Sequence, residues 1–65
     1  MDALISLSAK SEAAVEVMEV SGDWYVLVVD ARGKEMIRTF LRESFAISYA
    51  EHQRIRLGLG KFDRL

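Results

Sequence analysis

Cysteine and proline are absent from this 65-residue chain, and glycine occurs only four times. Without cysteine there is no disulfide framework and no thiolate metal site. Without proline, no position is barred from regular secondary structure. No apolar run approaches the roughly 18–20 residues of a membrane-spanning helix, and the first residues lack the basic segment of a signal peptide. We therefore expect one small cytoplasmic domain, residues 1–65, with no membrane partner.

The charged residues divide unevenly along the chain, although the net charge is only −1. Residues 1–30 contain six acids and one base, and residues 31–65 contain eight bases and four acids. A net charge this small argues against indiscriminate nucleic-acid binding. One interpretation is that the two halves neutralise each other in the fold. The other is that a basic surface is available to an anion or an acidic partner.

Three strand-like segments follow one another between residues 13 and 40. Residues 13–20 are rich in valine and partly alternating, and residues 24–29 combine aromatic and β-branched side chains, as does much of residues 35–40. Gly22 and Gly33 separate them, and Gly33 suits the positive φ of a three-residue hairpin loop. The pattern predicts an antiparallel meander. Its register stays open, because different turn lengths exchange the faces that meet.

From Glu43 onward the hydrophobic period becomes that of an amphipathic helix, with apolar residues at positions 46, 49, 50 and 57. Gly58 is expected to end this helix and to be followed by a flexible tail. In an alternative, the helix ends near Gln53 and residues 54–59 form a short fourth strand. The predicted fold class is α+β: a three-stranded antiparallel β-meander followed by one C-terminal α-helix (β-β-β-α). For residues 1–12 the sequence leaves two predictions open, an extra N-terminal strand or an arm.

The central strand is apolar on both of its faces, because side chains alternate along a strand. One helix covers one face, so the other needs a further cover. The N-terminal arm, a second copy and a different protein partner are the three options. A homo-oligomer is the working hypothesis, with a dimer favoured. The candidate interface residues are Trp24, Tyr25, Leu27, Val29 and Ile37.

No catalytic, cofactor or metal site is expected. His52 is the only histidine, too few ligands for an ordinary zinc site. Ser48 lies four residues before it, but no acidic residue is evident to orient the pair. Residues 58–61, Gly-Leu-Gly-Lys, lack the rest of a phosphate-binding loop. Glu16 and Glu19 are three apart, so a regular strand directs them to opposite faces.

Four basic residues between the second turn and the helix start form the other candidate site: Arg32, Lys34, Arg38 and Arg42. Salt-bridging to the acidic half is the favoured role for them. A three-stranded sheet backed by a helix also occurs in DNA-binding modules, but that is a likeness of topology only.

The sequence predicts a small non-catalytic interaction or accessory protein that self-associates through the sheet face that its helix leaves uncovered. The alternative is a nucleic-acid-binding regulator that uses the four basic residues. A minimal enzyme or an enzyme subunit comes third. We expect no cofactor.

Overall fold

The computed structural model describes residues 13–65, which form a sheet and one helix. Strand β1 spans Ala14–Val20, β2 Asp23–Val29, β3 Glu35–Phe40 and β4 Asp63–Arg64, and helix α1 spans Glu43–Arg56. The sheet order is β3-β2-β1-β4. β1, β2 and β3 form an antiparallel meander, whereas β4 runs parallel to β1. The predicted α+β class and β-β-β-α order are confirmed; the predicted N-terminal strand or arm falls outside the described residues.

The first hairpin closes with a two-residue loop, Ser21-Gly22. Val20 is paired with Asp23, and both loop residues have positive φ, 54° and 89°. Two consecutive positive φ values define the type I′ turn, whose twist matches that of the adjoining strands. A carboxylate oxygen of Glu19 accepts a 2.7 Å hydrogen bond from the Gly22 N–H. The loop length leaves no register freedom between β1 and β2.

The second hairpin closes with the three-residue loop that the sequence predicts. The Asp30 N–H donates to the Lys34 carbonyl and the Gly33 N–H donates to the Asp30 carbonyl, both at 2.9 Å. Gly33 has the required positive φ of 87°. The Asp30 carboxylate also accepts bonds from the N–H groups of Arg32 and Lys34, at 2.9 and 3.0 Å. The bond from Lys34, assisted by that from Arg32 and by both positive charges, lowers the pKa of Asp30 below its ordinary 3.8 and outweighs the opposing desolvation.

Helix α1 ends at Arg56 in a Schellman motif, as Gly58 predicts. The Gly58 N–H donates to Ile55 at 3.0 Å and the Leu59 N–H donates to Arg54 at 2.8 Å, with Gly58 at a φ of 75°. The alternative of a strand over residues 54–59 is therefore wrong, because the helix continues through Arg56. The flexible tail is also wrong: Asp63–Arg64 forms β4, and the Leu65 N–H donates to the Val17 carbonyl at 2.8 Å.

The buried core lies between the helix and one face of the sheet. The sheet supplies four valines and the helix two alanines, each at most 2% exposed: Val15, Val17, Val26, Val28, Ala46 and Ala50. Alanine allows the helix axis to approach the sheet closely. Larger apolar side chains pack around this centre: Trp24, Phe40, Ile47, Tyr49, Leu57, Leu59 and Phe62. We call this side of the sheet the helix-covered face.

The opposite side, the open face, is fixed by the strand register. Pairing aligns Ala14 with Val29 and Glu35, Glu16 with Leu27, Ile37 and Asp63, Met18 with Tyr25 and Thr39, and Val20 with Asp23. Directly paired residues share a face. These twelve positions constitute the open face. α1, the one helix of residues 13–65, lies on the other side, against the core valines.

Two glycines test the helix stop, since a Cβ at either Gly58 or Gly60 would meet nothing within 4 Å. Of these two glycines, Gly58 has a positive φ and Gly60 does not. We expect Gly58→Ala to lower the free energy of unfolding by about 1 kcal/mol through backbone strain alone. Gly60→Ala should change it by less than about 0.5 kcal/mol. Urea denaturation measures both; equal effects would contradict the Schellman assignment.

The Asp30 carboxylate predicts a pH dependence of stability. Because folding lowers the pKa of Asp30, its stabilisation is present above the ordinary value of 3.8 and is lost as the pH falls through the lowered value. The variant Asp30→Asn keeps an acceptor oxygen without the charge. We expect wild type to melt at a higher temperature than this variant at pH 6, and the difference to shrink towards pH 2. A difference that does not change with pH would rule out the charged turn.

Candidate functional site

The open face carries apolar side chains that the helix does not cover. Tyr25, Leu27 and Val29 are partly buried along β2, and Ile37 on the neighbouring edge strand is 64% exposed. The pairing of Leu27 with Ile37 places these two side chains side by side. Residues 13–65 provide no element that packs over this set. Contiguous exposed apolar surface on small proteins commonly marks an interface.

The structure separates one of the five candidate interface residues from the rest. Tyr25, Leu27, Val29 and Ile37 belong to the open face, whereas Trp24 lies on the helix-covered face and packs against the core. The Trp24 ring lies 5.8 Å from the guanidinium carbon of Arg64, and Arg64 also forms an ion pair with Glu43. This chain of contacts links β2, β4 and the helix start. Trp24 therefore contributes to the fold.

Met18 and Val20 of β1 extend the apolar surface of the open face, and neither was predicted to do so. Met18 is paired with Tyr25, and Val20, at the end of its strand, is 49% exposed. The alternation of residues 13–20 places Met18 and Val20 on the same face of β1. Because the sequence left the strand register open, it did not show that this face of β1 adjoins Leu27.

The four basic candidates do not converge on one place. Arg32 and Lys34 occupy the β2–β3 hairpin, and Arg42 precedes the helix at the far end of β3. The six residues of β3 lie between Lys34 and Arg42 and span roughly 20 Å at about 3.3 Å per residue. Arg38 lies between them on the helix-covered side, with its guanidinium carbon 5.0 Å from the Tyr49 ring centre and 5.6 Å from that of Phe40. These bases are distributed along an edge of the sheet.

The ion pairs of the described residues do not join the acidic half to the basic half. They connect Arg54 with Glu51, Lys61 with Asp63 at 3.8 Å, and Arg64 with Glu43. All six residues belong to the second half of the chain. Within residues 13–65, the expected neutralisation of one half by the other is therefore not made through direct ion pairs.

The outer side of the helix borders an open groove of about 560 Å³, lined in part by Ser48, His52 and Phe62. Its two carboxylates, Glu43 and Glu51, are held by Arg64 and Arg54. The hydrogen bond from Arg54 lowers the pKa of Glu51. Among residues 13–65, neither carboxylate accepts a hydrogen bond from the His52 imidazole, as the third member of a catalytic triad does.

Metal binding and membrane insertion find no support in the part of the chain that the structure describes. Residues 13–65 contain no group of three or more histidine, aspartate or glutamate side chains arranged to hold a metal ion. No helix among them has the length and apolar character needed to cross a bilayer. The carboxylates Glu16 and Glu19 lie on opposite faces of β1, as their spacing predicts.

Known proteins supply no guide to the role of these surfaces. No protein-family model matches the chain, and no curated protein or solved structure is significantly similar to it. The open face combines apolar and acidic side chains on one side of the sheet, and its function has to follow from these residues.

Proposed function

We propose that this chain is a small, non-catalytic interaction protein of the cytoplasm that self-associates through its open face. The observation that supports the proposal is the exposure of Ile37 beside Leu27, on the side of the sheet opposite the only described helix. Burying such side chains stabilises an assembly by roughly 1.5–3 kcal/mol each.

A second copy is the occupant that needs no further component. In a two-fold dimer each copy presents the same patch, so two apolar surfaces are covered in one contact. Two sheets pack face to face at about 10 Å, with their side chains interdigitated. Four neighbouring strands of up to seven residues give the open face a size of roughly 19 by 23 Å, or about 440 Å². A standard interface buries about 800 Å² per partner, so the open face is small for an interface. We therefore expect a reversible dimer whose population rises with concentration.

Ile37→Asp tests the interface, because position 37 is exposed and tolerates a polar side chain in the monomer. The change places a charge in the apolar contact twice per dimer. The loss of roughly 1.5 kcal/mol at each copy weakens the dimer at least about 100-fold. Size-exclusion chromatography with light scattering, over about a hundredfold range of loading concentrations, should give a dimer for wild type and a monomer for the variant.

Phe45→Asp is the matched control for this experiment. Phe45 is 58% exposed, similar to Ile37, but it lies in the first turn of the helix on the other side of the molecule. An aspartate there is compatible with the positive end of the helix dipole. We expect this variant to keep the dimer mass. A wild-type monomer at every concentration, or equal loss of mass in both variants, would remove the open face as a self-association surface.

The same column run addresses the nucleic-acid alternative if absorbance is recorded at 260 and 280 nm. Bound nucleic acid adds absorbance at 260 nm, and salt removes it because phosphate contacts release counterions. The wide separation of Arg32 and Lys34 from Arg42 gives no specific reason to favour this alternative. A salt-removable excess at 260 nm would nevertheless place it first.

A further inference from the structure

The charged residues of the open face all have the same sign. Of its twelve strand positions, seven are apolar or aromatic and one is Thr39. The remaining four are acids: Glu16, Asp23, Glu35 and Asp63. None of the eight bases among residues 13–65 occupies a strand position on this face. The two strand positions with arginine, Arg38 and Arg64, belong to the helix-covered side.

The acids border the apolar surface on three sides. Glu16 and Asp63 lie directly opposite each other at the β4 side, Asp23 lies by the first turn, and Glu35 lies at the start of β3. Like charges opposite each other destabilise a sheet. Lys61, 3.8 Å from Asp63, offsets one of them from outside the strands. Within residues 13–65, Glu16, Asp23 and Glu35 have no ion-pair partner.

A second copy of this chain covers the apolar surface but brings the same four acids to it. A two-fold contact therefore places up to eight carboxylates around one interface, which opposes the apolar gain. A partner that is both apolar and positively charged supplies what a second copy lacks. Its aliphatic side chains cover Leu27 and Ile37, and its lysines or arginines pair with the surrounding carboxylates.

We propose that the open face binds a cationic amphipathic segment of another protein, in which a short apolar stretch is flanked on both sides by lysine or arginine. Such a segment competes with the second copy for one surface, so binding the partner dissociates the dimer. This inference rests on the proposed function in one respect, namely that the open face is an interface. It adds the chemistry by which the face selects its partner.

The probe is a fluorescein-labelled peptide with a central leucine stretch flanked by lysines, compared with one in which glutamates flank the same stretch. Fluorescence anisotropy at low and at moderate salt measures the affinity of each for the full chain. We expect the lysine peptide to bind and its affinity to fall as salt rises, because the paired charges are exposed. The glutamate peptide should not bind. In light scattering, the lysine peptide should convert dimer to monomer.

Two double variants show whether the acids of the face are responsible. Glu16→Gln with Glu35→Gln removes two charges from the open face and should weaken lysine-peptide binding about three- to tenfold. Glu43→Gln with Glu51→Gln removes the same charge from the helix side, and the affinity should stay unchanged. Equal weakening by both pairs would show a response to net charge alone, and the inference would fail.

The remaining outcomes separate this inference from the proposed function. If neither peptide binds while Ile37→Asp still dissociates the wild-type dimer, partner selection is wrong and self-association stands. If both peptides bind equally and salt has no effect, the face selects for apolar character only, and the charge argument fails. If neither peptide binds and wild type is a monomer at every concentration, both proposals are overturned.

Discussion

The contact between two helical alanines and four strand valines determines how the rest of this molecule is arranged. Ala46 and Ala50 lie against a valine patch, and all six side chains are buried. The helix, at about 1.5 Å per residue, is roughly 21 Å long, close to the roughly 23 Å of a seven-residue strand. One helix is thus long enough to follow one face of this sheet from end to end. It contributes nothing to the other.

The small core explains why the surrounding contacts matter. Six valine and alanine side chains bury little apolar surface. Stability therefore depends also on the partly buried aromatic and aliphatic side chains that surround them. Two arginines add cation–π contacts to these side chains: Arg38 lies against Phe40 and Tyr49, and Arg64 lies against Trp24. Cation–π contacts at exposed sites contribute about 0.5–1 kcal/mol each. Arg38, one of the arginines that the sequence offers to a ligand, thus already has partners within the fold.

Much of this fold could be predicted from local sequence. The three long strands follow from their valine-rich composition, and Gly33 and Gly58 predict a loop and a helix stop through their positive φ. Strand β4 could not be predicted, because two residues carry no period and their pairing depends on a distant strand. The same limit applies to the sites. Alternation placed Trp24 on the face opposite Tyr25, but only the register shows that Met18 adjoins Tyr25 and that Glu16 adjoins Asp63.

The open face unites two properties that have different consequences. Its apolar side chains make coverage favourable whatever the partner, since the hydrophobic effect has no direction and little selectivity. Its carboxylates add little to affinity in water, but they decide which partners approach and which are repelled. A face of either kind alone would be an indiscriminate adhesive surface or an ordinary solvated one. The register of β1, β2 and β3 places both on one side of the sheet, so the property that selects a partner depends on the turns at Gly22 and Gly33 that fix this register.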